Sequence, residues 1–94
     1  LTVFGVAALA EFAKTHAAAR KPLARFLATV EQARWRHLAE LKAAFPAADY
    51  TPSGLVIFNV GGNKYRLAVS VDFDQRALAI VRVMTHAEYD KETF

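Results

Sequence analysis

The spacing of the apolar residues changes partway along this chain, and that change constrains the fold more than any other feature. Up to about residue 45, apolar residues recur every three or four positions. Val6, Leu9, Phe12 and Ala13 form one such set, and Leu23, Phe26, Leu27 and Val30 a second, which is the period of a helix with one buried face. Beyond residue 54 the runs "LVIFNV", "NKYRLAVSVDF" and "ALAIVRVMTH" are β-branched and aromatic, bounded by turn formers, the pattern of strands. The spacing predicts one helix over about 6–19 and another over about 21–33, with Pro22 in a first turn, where proline is tolerated. A shorter segment, "WRHLAELKAAF", is stopped by Pro46, and "PAADYTPSG" reads as a linker. Thr2–Phe4 reads as a short edge strand. The expected architecture is α+β: two N-terminal helices packed on a small antiparallel sheet, in a single domain spanning 1–94 without internal repeats.

The glycine pair inside "FNVGGNKYRL" predicts a tight hairpin, because both central positions of a two-residue type I′ loop need positive φ. With Gly61 and Gly62 as that loop, Val60 opposes Asn63, Asn59 opposes Lys64, Phe58 opposes Tyr65 and Ile57 opposes Arg66. Opposed residues share a face and successive residues alternate. One face then carries Val56, Phe58, Val60, Tyr65, Leu67, Val69 and Val71 and packs on the helices. The other carries Ile57, Asn59, Lys64, Arg66, Ser70 and Asp72. Extending the phase to the last strand directs Ala79, Val81 and Val83 to the core, and Ile80, Arg82 and Met84 to the open face, with His86 at its rim. Within "DFDQRA" a second, looser turn is expected.

The chain has no cysteine, so neither a disulfide framework, a thiol nucleophile nor a cysteine-ligated zinc is available. Its three histidines are scattered without carboxylate spacing, so no metal site and no cofactor is expected; "GGN" is a turn rather than a phosphate loop. With 54% hydrophobic and 22% charged residues, the composition is that of a globular chain and a folded domain is expected. No apolar run reaches the roughly 18 residues of a membrane span, and "LTVFGVAALAEFAK" meets Glu11 and Lys14 too early for a secretory leader. A soluble, cytoplasmic protein without membrane partners is expected. Residues 1–45 carry seven Lys or Arg against three Glu, and residues 46–94 five against six acids. The basic first half points to an anionic partner, nucleic acid first, or simply to solvated helix faces.

On the polar face, Asn59, Lys64, Arg66, Arg82 and His86 form a set suited to phosphodiester chemistry. Arginine forks bind phosphate oxygens in pairs, and histidine exchanges protons near neutrality. Each residue also has a plainer reading. Asn59 and Asn63 suit turn chemistry, while Lys64 and Arg66 suit solvent-facing strand positions. His86 could merely open a helix, since Thr85 and Glu88 match a capping box. Trp35 and Phe45 read as core.

The strings "VIFNVGGNKYRLAVSVDF" and "IVRVMTHAEYDK" resemble the HigB-type toxins of bacterial type II toxin–antitoxin systems, within the RelE/ParE superfamily. The helical "FAKTHAAARKPL" and "LAELKAAFPAADY" extend that resemblance over nearly the whole chain. It implies a RelE-like fold and an mRNA interferase, an endoribonuclease that cuts mRNA at the ribosome without a metal or other cofactor and is silenced by a cognate antitoxin. It further implies Arg66, His86 and Tyr89 as catalytic residues, with Asn59, Lys64 and Arg82 on the RNA phosphates. Gly61, Gly62 and Asn63 would form the structural turn, and Glu88 and Asp90 would cap or pair with nearby cations. The antitoxin is expected to be acidic, or to lay an apolar helix or strand over the site. The rivals within this fold are a gyrase inhibitor acting through its helices and tail, and a degenerate toxin that only binds its antitoxin.

Overall fold

The computed structural model describes residues 1–92. In chain order it contains β1 (Thr2–Phe4), α1 (Ala7–Thr15), a 3-10 turn (Ala17–Ala19), α2 (Arg20–Gln32), α3 (Leu38–Ala44), β2 (Asp49–Tyr50), β3 (Val56–Val60), β4 (Tyr65–Asp72), β5 (Ala77–Thr85) and α4 (His86–Asp90). The class is α+β as expected, but the sheet has five strands in the order β1-β5-β4-β3-β2. It is mixed rather than purely antiparallel, because β1 pairs parallel to β5, Thr2 with Ala77 through Phe4 with Ala79. The presumed linker contributes β2, which covers only Val56 and Ile57 of β3. No helix of the described residues is long and apolar enough to cross a membrane.

The first expected helix is interrupted. His16 leaves helical geometry (φ −133°, ψ 73°), and its ring stacks on Phe12 at 4.0 Å between centroids. The alanines that follow contain no stop signal in the sequence. They continue as the 3-10 turn that leads into α2.

The hairpin register also differs from expectation. Val60 pairs with Tyr65, Asn59 with Arg66, Phe58 with Leu67 and Ile57 with Ala68, so the loop is Gly61-Gly62-Asn63-Lys64. Three consecutive residues, Gly61, Gly62 and Asn63, have positive φ (69°, 61° and 75°), and asparagine tolerates that region better than most residues. The slip is two residues, so the alternation is preserved and every residue of β3 and β4 keeps its predicted face.

In β5 the predicted phase holds at one end and inverts at the other. Thr85, Met84, Val83 and Arg82 pair with Tyr65, Arg66, Leu67 and Ala68 in turn, but Val69 then pairs with Ile80. Val81 is the extra residue of a β-bulge, which resets the alternation. Ile80 therefore packs against the main core with Leu78, Val81 is 54% exposed, and Ala79 lies opposite Ser70 on the other face. Arg82 and Met84 keep the face predicted for them.

The main core lies between the sheet and helices α1 to α3. Phe58 is fully buried at its centre, with Phe26 and Phe45 edge-on at 5.0 Å and Trp35 stacked at 6.5 Å. The opposite face is covered too. Ile57, Ala68 and Met84 are at most 1% exposed and form a second small core, closed by Leu55 and by Tyr89 of α4. Burial of Met84 and Ile57 stabilises by roughly 1.5–3 kcal/mol each, which is what holds a five-residue helix against the sheet.

Candidate active site

The polar residues gather where the β3–β4 turn meets α4. Arg66 opposes Asn59 on one side and Met84 on the other, and its side chain runs over the second core. Although charged, it is only 8% exposed. Its Nη1 donates to the carbonyls of Asn63 (2.9 Å) and Tyr65 (3.2 Å), and Nη2 donates to Nδ1 of His86 (3.1 Å). The guanidinium carbon lies 5.7 Å from the Tyr89 ring centroid, within cation–π range. A guanidinium has five N–H donors, so donors remain beyond those three bonds. Among the described residues no carboxylate pairs with it; the five ion pairs there involve Lys14, Arg36, His37, Arg82 and His86.

His86 is fixed from three directions. Its backbone N–H donates to the Lys64 carbonyl (2.9 Å), tying the start of α4 to the turn. Its Nδ1 accepts from Arg66. An arginine has no lone pair to offer, so the ring proton resides on Nε2, which lies 3.5 Å from Asp90 Oδ2. The array therefore reads Arg66–His86–Asp90. Asp90 was read from the sequence only as a group that caps or pairs; the available signal was its i+4 position on a helix that opens at His86.

The capping box is present as well. The Thr85 hydroxyl accepts from the Glu88 amide, and the Glu88 carboxylate accepts from the Thr85 amide. That backbone N–H, first among the causes, holds the Glu88 carboxyl below its usual range. His86 thus does open a helix, and the same capping box positions its ring beside Arg66.

The remaining sequence-predicted residues divide. Tyr89 lies with Arg66 and packs on the second core. Asn59 faces Arg66 across the strand pair. Lys64 is exposed and sits in the loop, not in β4. Arg82 shares the face through its pairing with Ala68, but its guanidinium is ion-paired with Glu92. Gly61, Gly62 and Asn63 form the turn, and Asn63 in addition supplies a carbonyl to Arg66. That backbone role, like the one of Tyr65, has no side-chain signal in a sequence.

A family model described as HigB toxin, a RelE-like toxic component of a toxin–antitoxin system, matches residues 19–92, a span that includes all of these residues. Among curated relatives, the chain is similar to the mRNA interferase toxin HigB of Escherichia coli strain K12, at 40% identity over 65 residues covering 66% of this chain. The mRNA interferases HigB of Escherichia coli O157:H7 and of Shigella flexneri match with the same figures. The match covers 62% of the length of each of these relatives.

Proposed function

The chain belongs to the HigB toxin family, RelE-like toxic components of toxin–antitoxin systems, and from that premise we propose that it is an mRNA interferase. In this reading it is a cytoplasmic endoribonuclease that cuts mRNA on the ribosome, stops translation, and is silenced by a cognate antitoxin. One observation carries the reading: Arg66 is a nearly buried cation with spare donors, no carboxylate partner among the described residues, and an imidazole at 3.1 Å. A charge so removed from water is stabilised when an anion meets it, and a backbone phosphate is an anion that arginine forks fit.

The chemistry follows from those atoms. The ribose 2′-oxygen attacks the adjacent phosphorus, the bond from phosphorus to the 5′-oxygen breaks, and a 2′,3′-cyclic phosphate and a 5′-hydroxyl result. The 2′-hydroxyl proton goes to a base, and the leaving 5′-oxygen receives one. Arg66 donates to the non-bridging oxygens, whose charge grows in the transition state. As it turns towards the phosphate it releases Nδ1 of His86, which becomes free to take the 2′-proton. The substrate thereby uncovers its own base. Tyr89 stacks beside the guanidinium, and Asn59, Lys64 and Arg82 hold the flanking backbone, Arg82 by exchanging Glu92 for phosphate.

The test is inducible expression of the chain without an antitoxin, with mapping of transcript 5′ ends, for wild type, Arg66→Lys and the Arg66→Ala/His86→Ala double variant. Cuts in wild type that the double variant lacks, and that Arg66→Lys reduces because lysine keeps the charge but not the fork, support the nuclease. Growth arrest with intact transcripts would overturn it in favour of a protein-directed toxin.

A further inference from the structure

On the far side of β3 from Arg66 lies an open pocket of about 300 Å³, lined by Arg25, Phe26, Thr29, Phe45, Asn59 and Gly61 among others. It exists because β2 pairs with Val56 and Ile57 only, leaving the outer edge of Phe58–Val60 without a strand neighbour in the sheet, while α2 passes alongside. The approach is close: a Cβ placed on Gly61 would lie 3.5 Å from Cβ of Pro22. Arg25 lines the pocket and is exposed, so the pocket carries a cation, and the exposed Lys21 adjoins its lining residue Pro22 in the chain. None of its lining residues is acidic. Phe45 is only partly buried, and its ring meets Phe26 at 6.0 Å, so the lining combines two aromatic rings with the polar side chains of Thr29 and Asn59.

Asn59 belongs to this pocket and also pairs with Arg66 across the hairpin. Asn59 therefore connects the pocket to the strand that carries the cation. We infer that this pocket is a nucleobase subsite, taking the base of the nucleotide next to the phosphate held by Arg66, with Arg25 on the following phosphate. A lining of aromatic rings with a cation suits a splayed-out RNA base. The uncovered edge of β3 is too short to template an added strand, which disfavours a peptide as the occupant. The inference rests on the nuclease reading and adds to it the residues that decide where the RNA is cut.

Two exposed positions on α2 test it without disturbing the core: Arg25→Glu reverses the charge in the lining, and Thr29→Tyr fills the pocket. Loss of a stacked base corresponds to roughly a 5- to 150-fold fall in binding, so cutting should fall within that range and the base distribution at the mapped 5′ ends should change. In parallel, titrating AMP, GMP, CMP or UMP into the wild-type chain should shift the amide resonances of Thr29, Asn59, Gly61 and Gly62, and Thr29→Tyr should abolish the shifts. If wild type cuts and both variants cut at the same sites and rates, the subsite is refuted while the nuclease stands. If the variants leave cutting unchanged but weaken neutralisation by the antitoxin, the pocket is a peptide site and the inference is likewise overturned. If wild type makes no cuts at all, the nuclease reading itself fails and the inference falls with it.

Discussion

Two neighbouring glycines should respond very differently to the same small substitution. Gly61 and Gly62 have almost the same backbone conformation, φ 69° and 61°, so alanine meets the same left-handed strain at either site. That strain is about 1–2 kcal/mol, partly offset by roughly 0.4–1 kcal/mol from the stiffer unfolded chain, for a net loss of about 1 kcal/mol. The surroundings are where they part. A Cβ at Gly62 has nothing within 4 Å, whereas one at Gly61 would lie 2.9 Å from Cδ2 of Tyr65. Tyr65 has little room to retreat, since it is 8% exposed and held edge-on by the rings of Phe12 at 5.7 Å and His16 at 6.4 Å. Overpacking of this kind adds about 1–3 kcal/mol. At about 4–8 °C per kcal/mol for a domain of this size, Gly62→Ala should lower Tm by roughly 5 °C and Gly61→Ala by roughly 15 °C. Thermal unfolding followed by circular dichroism reads the difference. Equal shifts at the two sites would refute the argument, because they would mean that the Tyr65 ring yields freely. Since the Tyr65 carbonyl accepts from Arg66, Gly61→Ala should also reduce activity below the melting range, while Gly62→Ala should not disturb that carbonyl.

Three further outcomes are expected. Met84→Ala should destabilise by about 2–5 kcal/mol, as for any fully buried large-to-small change, and amide hydrogen exchange should show α4 opening first, because Met84 and Tyr89 share one small core. Thr85→Ala removes the N-cap of α4 and should lose about 1 kcal/mol, read by urea denaturation. Glu88→Gln should destabilise at pH 7 and converge with wild type in acid: the Thr85 backbone N–H holds the folded-state carboxyl below its ordinary value, so its contribution is present above the unfolded value and is lost as the pH falls through the lower folded one. A Glu88 variant whose deficit persisted unchanged at pH 2 would contradict that assignment.

What could be read from the sequence, and what could not, follows from which interactions are local. Helix and strand periods were legible because each reports one face meeting one core, and the capping box at Thr85 because it is a four-residue pattern. The hairpin register was not, since a two-residue and a four-residue loop place the same residues on the same faces; only the three-dimensional turn distinguishes them. The bulge at Val81 was hidden for a similar reason: "ALAIVRVM" is apolar in both phases, so no polar residue marks the skip. Parallel pairing of β1 is a contact between the two ends of the fold, without a local signal. Arg66 was picked out as a chemical group, but its burial was not, because that depends on Met84, Tyr89 and two backbone carbonyls converging on it. The pocket beside Asn59 depends on a strand that stops after two residues, and short strands leave little trace.

The separation of Arg66 from His86 along the chain has a consequence in time. The two lie 20 residues apart, and a ribosome adding about 5–20 residues per second takes about 1–4 s to pass from one to the other. Throughout that interval the nascent toxin holds its cation without its imidazole. The partners meet only once β5, which leads into α4, is paired with β4. The Arg66–His86 pair therefore comes into being only after residues 1–86 have all been synthesised, so whatever chemistry it performs is a property of the finished sheet and not of any shorter nascent chain.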